Sequence, residues 1–212
     1  MKQKTIRTTV KGIIKKDGLL FKDLYGDGEL KPYEDWRLSP EERAKDLVSR
    51  MTDEEKAGMF VIVDQKMGIS CKDGQPTSRC GVLSEYEGPG LRGSMAYPTT
   101  YQLTARHIRH LIVRENAKPH ELAKWMNTLQ EVCEGTRLGI PCIVAANSKN
   151  ESADIRYNAE EEDNPFTTYP GTLGIAASRN MDTVKTFAET GHREFLACGL
   201  RKGYMYMADC AT

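Results

Sequence analysis

The 212-residue sequence has no excess of either charge, no long apolar run and no closely spaced pair of cysteines. Thirty basic side chains balance thirty acidic ones, so the chain has no net field that would favour nucleic acid or an anionic membrane. No window approaches the run of about 18 apolar residues that a transmembrane helix needs. We therefore expect neither nucleic acid nor a membrane as a partner.

The start of the chain lacks the features of a secretory signal. Residues 1–18 are basic, but they contain neither an apolar core nor a small-residue cleavage site. As written, the sequence predicts a cytoplasmic location by default, and a periplasmic or secreted one if a leader is removed.

The six cysteines contain no C-x-x-C spacing, which argues against zinc and thioredoxin-type sites. Buried free thiols are the expected state. Cys71 and Cys80 flank a loop rich in glycine, proline and serine, so a disulfide between them under oxidation stays open. The sequence predicts no cofactor.

Two capping boxes are present, and each predicts a helix. Ser39 and Glu42 form the first, with a proline at the first helical position, and Thr52 and Glu55 form the second. The first helix is expected to bury its apolar residues, Ala44, Leu47, Val48 and Met51. The clearest helix follows Pro119, where apolar residues recur at helical spacing: Leu122, Trp125, Met126, Leu129, Val132 and Cys133.

Apolar runs predict three strands, over residues 60–63, 142–146 and 204–208. Residues 1–22 are predicted to form an extended lead-in, and residues 64–98, which are rich in glycine and proline, a surface excursion. A further helix is predicted over residues 182–198. The wholly apolar second strand and the alternation of strands with helices predict an α/β fold with a parallel sheet.

Residues 23–34 have the skeleton of a calcium-binding loop. Asp23, Asp27 and Glu34 occupy loop positions 1, 5 and 12, and Gly28 occupies position 6. Two other ligand positions hold residues that do not suit calcium, Tyr25 and Lys31. The alternative is a turn in which the aspartate side chains accept hydrogen bonds from backbone amides and Gly28 takes a positive φ.

Several stretches occur in a characteristic order along the chain. They are Tyr33-Glu34-Asp35-Trp36-Arg37-Leu38, Met51-Thr52 with Glu55-Lys56, Arg114-Glu115-Asn116, Glu121-Leu122-Ala123-Lys124-Trp125-Met126-Asn127, Thr136-Arg137-Leu138-Gly139-Ile140-Pro141, Tyr169-Pro170-Gly171-Thr172-Leu173-Gly174-Ile175-Ala176 and Arg201-Lys202-Gly203-Tyr204-Met205-Tyr206-Met207-Ala208-Asp209. Together they resemble the β-glucosidase branch of glycoside hydrolase family 3, over residues 21–212.

The resemblance implies the N-terminal portion of a (β/α)8 barrel. A lead-in would occupy residues 1–38 and an incomplete barrel residues 39–212. The family hydrolyses β-glucosides and related sugars with retention, through a carboxylate nucleophile and a second carboxylic acid. Its nucleophile, its Lys-His pair and its Pro-Arg-Trp-Gly-Arg segment would all come after Thr212. No residue here is therefore assigned a catalytic role, and the isolated chain is expected to be inactive.

Two residues are candidates for sugar binding. Asn147 follows the second predicted strand, where the family commonly has an aspartate. Asparagine still bonds hydroxyl groups as donor and acceptor, but it lacks the charge-assisted bond of a carboxylate. Asp209 ends the last predicted strand. The alternatives are a plain loop residue for Asn147 and a bond to backbone amides for Asp209.

Two other functions stay open beside that of an enzyme part with a carbohydrate substrate. A non-catalytic sugar-binding or assembly fragment would complete a barrel with a separate C-terminal half, or associate with itself through an exposed barrel edge. A calcium-dependent module would use residues 23–34.

Overall fold

The computed structural model describes residues 2–72, 75–89, 95–115, 117–148, 150 and 165–204. It begins with an antiparallel hairpin of strands β1 (Gly12–Lys16) and β2 (Leu19–Asp23). Asp17 and Gly18 join the strands with φ of 53° and 74°. Two positive φ values are what a tight two-residue hairpin turn requires. Residues 12–23 thus form a hairpin, where the sequence predicted only an extended segment over residues 1–22.

The two predicted capping boxes are present. A short 3-10 helix (Pro32–Glu34) precedes α1 (Pro40–Arg50) and α2 (Asp53–Met59). The Ser39 hydroxyl accepts from the amide of Glu42 at 3.2 Å, and Thr52 binds Glu55 in the same way. The predicted inward face of α1 was wrong, because α1 contains no buried residue and Val48 is 51% exposed. Of the four apolar residues predicted to be buried, only Met51 is buried, and it follows α1.

Residues 62–104 are more regular than predicted. Strand β3 (Ile62–Asp64) is followed by two antiparallel hairpins, β4 (Met67–Lys72) with β5 (Gln75–Leu83) and β6 (Gly88–Pro89) with β7 (Met95–Ala96). Helix α3 (Thr99–Thr104) comes next. The predicted surface excursion therefore contains paired strands.

Within the described residues, the main sheet is parallel and has four strands in the order β10-β9-β8-β3. The remaining strands are β8 (His110–Val113), β9 (Ile143–Ala146) and β10 (Lys202–Gly203). The register pairs Asp64 with Ile112, Val113 with Ala146, and Ala146 with Gly203. The predicted parallel α/β arrangement is confirmed, although β8 was missed by the sequence reasoning.

In the described part of the second half of the chain, three helices accompany this sheet: α4 (Pro119–Glu134), α5 (Thr172–Ala177) and α6 (Met181–Cys198). The apolar face predicted for α4 is buried, with Trp125 and Leu129 fully covered. Helix α6 ends as predicted at Gly199, whose φ of 85° suits glycine. Helix α5 was not predicted. The core between helices and sheet includes Leu111, Val113, Leu122, Trp125, Leu129, Val144, Ala146, Phe195 and Leu200.

The lead-in packs against the connection between α4 and β9. The Tyr33 hydroxyl donates to the carbonyl of Leu138 at 3.3 Å. Gly139, with φ of 59°, lies so close to Leu24 that a Cβ would come within 2.9 Å of its side chain. The N-terminal segments therefore cover the end of the sheet at which the strands begin.

Cys133, Cys142 and Cys198 are buried, as expected of structural thiols, and Cys133 and Cys142 are free. The side chains of Cys71 and Cys80, and all of Cys210, lie outside the described parts, so their pairing stays a prediction. Among the helices that the structure describes, none combines the length and the apolar character needed to cross a bilayer.

Candidate functional site at the carboxyl edge of the sheet

The four parallel strands end at the same edge, and each places a polar or aromatic residue there. Asp64 ends β3, Arg114 follows β8, Asn147 follows β9 and Tyr204 follows β10. We call these four residues the carboxyl edge. In parallel α/β folds, ligands bind at this edge because the connecting loops meet there.

Three of the four residues are level with one another. Arg114, Asn147 and Tyr204 each stand one position beyond the registered partners Val113, Ala146 and Gly203. The amide of Tyr204 donates to the carbonyl of Ala146 at 2.8 Å, which continues the pairing of the strands. Neighbouring strands lie about 4.8 Å apart, so the three side chains form a row.

Arg114 contacts two other residues of the carboxyl edge, Asp64 and Tyr204. Its Nε donates to Oδ2 of Asp64 at 3.0 Å, and its guanidinium carbon lies 5.8 Å from the centre of the Tyr204 ring. Burial lowers the pKa of Arg114, but the hydrogen bonds and charges of Asp64 and Tyr204 together outweigh it, and the pKa is raised. A permanent cation thus lies between a carboxylate and an aromatic face.

Beneath the row, buried polar groups fix the ends of β3 and β8. Glu115 is 2% exposed, and its Oε2 accepts from the amide of Met67 at 3.2 Å. The amide of Gln65 donates to the carbonyl of Ile112 at 2.9 Å. These bonds hold the segment after Asp64 against the end of β8, so the geometry of the ion pair is supported from below.

The segment after β9 is anchored in the same manner. Asn147 is half-buried, and Asn150, three residues later, is 1% exposed. The Asn150 side chain donates to the carbonyl of Thr167 at 2.9 Å and to the carboxylate of Glu194 on α6. A cavity of about 270 Å3 lies beside this anchor, with Ser148, Asn150 and Gly203 among its lining residues.

Of the two predicted sugar contacts, the structure places one. Asn147 lies in the row with Arg114 and Tyr204, whereas Asp209 lies outside the described residues. Asp64, Arg114 and Tyr204 were not predicted as site residues. Asp64 lies one residue beyond the predicted strand 60–63, and β8 before Arg114 was missed. The predicted strand 204–208 lies outside the described residues beyond Tyr204.

No family model matches the chain. It is similar to a periplasmic β-glucosidase/β-xylosidase of Dickeya chrysanthemi, with 33% identity over 213 residues, covering 100% of this chain and 30% of the relative. A probable β-glucosidase C of Aspergillus oryzae is 29% identical, covering 85% of this chain and 26% of the relative. The β-glucosidase C of Emericella nidulans is 28% identical, covering 81% and 25%.

These relatives are β-glucosidases, so the predicted resemblance to glycoside hydrolase family 3 is confirmed. The chain corresponds to the N-terminal part of the relatives and spans 30% or less of their length.

In the turn that resembles a calcium-binding loop, the aspartate carboxylates bind backbone amides of the turn itself. Asp23 accepts from the amides of Gly26 and Gly28 at 2.8 and 3.1 Å, and Asp27 accepts from the amide of Glu29 at 3.1 Å. Gly28 has a φ of 77°. These are the contacts of the turn that was the alternative to a metal site.

Asp27 has a second contact within this turn, and Glu34 also binds groups of the turn. Lys31 Nζ lies 2.6 Å from Oδ2 of Asp27, which lowers the pKa of that carboxyl. Glu34 accepts from the amides of Tyr25 and Lys31 at 2.7 and 2.8 Å. Within the described ranges, no three acidic, histidine or cysteine side chains are grouped to hold a metal ion. Calcium binding by residues 23–34 stays a prediction.

Proposed function

We propose that this chain supplies the N-terminal part of the catalytic domain of a retaining β-glycosidase, and that its carboxyl edge forms part of the sugar-binding surface. The row formed by Arg114, Asn147 and Tyr204 carries the proposal. Residues 1–38 are the lead-in in this interpretation, and residues 39–212 are the first part of a (β/α)8 barrel.

The chemistry of the row suits a sugar. Arg114 donates hydrogen bonds, and Asn147 both donates to and accepts from hydroxyl groups. The ring of Tyr204, which is 48% exposed, offers an apolar surface beside them. Pockets for small ligands combine apolar surface with a few convergent polar groups in this way.

Catalysis itself is assigned to groups outside this chain. Retaining hydrolysis needs one ionised carboxylate as nucleophile and one protonated carboxylic acid, about 5 Å apart. We assign neither role to Asp64 or Glu115, because Asp64 binds Arg114 and Glu115 binds the amide of Met67. Asp209 stays a second proposed contact to the sugar, with no geometry attached.

The test is a titration of the 212-residue chain with methyl β-D-glucoside, followed by NMR. We expect saturable shifts at Arg114, Asn147 and Tyr204, and weak affinity in the millimolar range, about −4 kcal/mol, since only part of a site is present. Asn147→Ala should weaken the binding about tenfold and leave it measurable at higher sugar concentration. The matched control is Asn127→Ala on the exposed side of α4, which should bind like the wild type.

Two results would count against the proposal. Absence of any saturable shift, or binding by Asn147→Ala equal to that of the wild type, would remove the sugar-binding surface. Turnover of a chromogenic β-glucoside by the isolated chain, abolished by a substitution within it, would overturn the assignment of catalysis to groups outside it.

A second function, that of an assembly fragment, is favoured by the exposed apolar residues at the start of β3. Phe60 is 91% exposed, Val61 44% and Ile62 45%. Because β3 is an edge strand, this surface suits a separate C-terminal half or a second copy of the chain. A dilute monomer with cooperative unfolding, measured by light scattering and urea titration, would argue against it.

A further inference from the structure

Glu194 of α6 collects hydrogen bonds from two separate segments at the carboxyl end of the sheet. Its carboxylate accepts from the side-chain amide of Asn150. It also accepts from the Thr167 hydroxyl at 2.6 Å and from the Thr167 amide at 3.3 Å. One acidic side chain therefore ties residues 150 and 167 to the same helix.

The two segments are also bound to each other. The Asn150 side chain donates to the carbonyl of Thr167 at 2.9 Å, and the carbonyl of Asn150 accepts from the amide of Tyr169 at 2.6 Å. Tyr169 in turn approaches Thr190 of α6, with 3.1 Å between their hydroxyl oxygens. The position of Asn150 is thus defined from several directions.

Helix α6 is shaped to receive Asn150. A Cβ on Gly191 would stand 3.2 Å from Oδ1 of Asn150, so the absence of a side chain there allows the close approach. Gly191 and Glu194 are three residues apart and lie on one face of the helix. This accounts for how a polar side chain is 1% exposed with its amide satisfied.

We propose that Glu194 is a positioning residue for sugar recognition, which it serves by fixing Asn150 and thereby the orientation of Asn147. The inference rests on the proposed function, because it concerns the same carboxyl edge. The backbone amide of Asn150 also donates to the hydroxyl of Ser148 at 3.4 Å. Anchoring Asn150 therefore restrains the short stretch that begins at Asn147.

Position 194 requires a side chain that accepts hydrogen bonds. Three donors converge on it, two from Thr167 and one from Asn150, and a carboxylate offers two oxygens with no proton. A glutamine would turn an NH2 group towards one of those donors. Glu194→Gln changes neither size nor shape appreciably, so it tests the hydrogen bonds rather than the packing.

The test compares Glu194→Gln with Glu189→Gln in the 15N-labelled chain. Glu189 is on the same helix, its side chain is 67% exposed, and it forms a long ion pair with Lys185 at 3.9 Å. We expect Glu194→Gln to shift the side-chain amide signals of Asn150 and Asn147 and to weaken methyl β-D-glucoside binding about five- to tenfold. Glu189→Gln should change neither.

A double substitution distinguishes positioning from general loss of structure. If Glu194 acts through Asn147, then Asn147→Ala with Glu194→Gln should bind sugar no more weakly than Asn147→Ala alone. Unchanged Asn147 signals and unchanged affinity in Glu194→Gln would overturn the inference. So would an equal further loss in the double variant.

The inference can still be tested if Glu194→Gln does not fold or if the wild-type chain binds no sugar. If Glu194→Gln does not fold, Thr167→Val removes only the hydroxyl donor, and the same shifts at Asn147 with about two- to threefold weaker binding are expected. If the wild-type chain binds no sugar, the proposed function fails, while the Asn147 signals in Glu194→Gln still decide whether Glu194 positions that residue.

Discussion

At the amino-terminal end of the sheet, buried charged side chains each bind several backbone groups, whereas at the carboxyl end the charged pair is half exposed. Arg109 and Glu134 are 4% and 9% exposed as residues. The side chains of Arg114 and Asp64 are 27% and 31% exposed. The two ends of one sheet thus use charge differently.

This difference indicates that the amino-terminal end of the sheet serves stability and the carboxyl end serves ligand binding. A buried charge whose bonds are all to other groups of the protein contributes to stability and has no capacity left for a ligand. A half-exposed pair beside an aromatic ring contributes little to stability but can exchange partners. In parallel α/β folds, ligands bind at the carboxyl ends of the strands. Substitutions at the two ends should therefore affect different measurements.

The largest effect is expected from Arg109→Leu. The guanidinium donates to the carbonyls of Leu103 and Ile140 at 2.7 and 2.9 Å and to the hydroxyl of Thr136 at 3.1 Å. Leucine leaves these buried acceptors unpaired, so the free energy of unfolding should fall by about 3–5 kcal/mol. Urea denaturation measures the change.

Arg106→Leu is the control for that substitution. Arg106 is exposed, three residues earlier, and lies 5.0 Å from the ring of Tyr97. Its replacement should cost less than about 1 kcal/mol. If Arg109→Leu were no more destabilising than Arg106→Leu, the amino-terminal end would not be the stabilising one.

A smaller effect is expected from Glu134→Gln at the end of α4. Glu134 accepts from the hydroxyl of Thr8 and from the backbone amides of three lead-in residues, and it pairs with Lys22 at 3.4 Å. We expect a loss of about 2 kcal/mol and faster amide exchange in residues 8–11. Glu131→Gln, at an exposed position of the same helix, should change stability by less than about 0.5 kcal/mol.

The same carboxylate makes the difference depend on pH. Burial raises the pKa of Glu134, but the bonds from Thr8 and the backbone amides, with the charge of Lys22, outweigh it and hold the pKa below its usual value. Its contribution is therefore complete above the unfolded pKa of about 4.3 and is lost as the pH falls through the folded pKa. The gap between wild type and Glu134→Gln should narrow from pH 7 to pH 3. A constant gap would contradict this.

Sequence reasoning succeeded where the determining contacts are local. Ser39 and Glu42 satisfy each other's backbone within one turn, so their pattern alone predicts the start of α1. Burial is different, since Val48 has the right spacing but is 51% exposed, and burial depends on which other segments pack there. Strand β8 has only four residues in a mixed segment, and its identity as a strand depends on pairing with β3 and β9.

The candidate site was predictable only in part for the same reason. Asn147 follows a clear apolar strand, so its place at a strand end could be read from the chain. Arg114 and Tyr204 become its neighbours only through the order of the strands, which no local pattern encodes. Glu194 gave no signal, because its partners are 27 and 44 residues away.

The smallest effect on stability is expected at the carboxyl end, from Asp64→Asn. The ion pair with Arg114 is half exposed, so its loss should cost about 0.5 kcal/mol at low salt and less at 1 M salt. Freed from Asp64, Arg114 should present its guanidinium differently, and methyl β-D-glucoside binding should change about twofold or more in either direction. Urea denaturation at two salt concentrations and the NMR titration provide both values. A loss as large as that of Glu134→Gln, with unaltered sugar binding, would erase the contrast between the two ends, because Asp64 would then be a stabilising residue like those at the opposite edge.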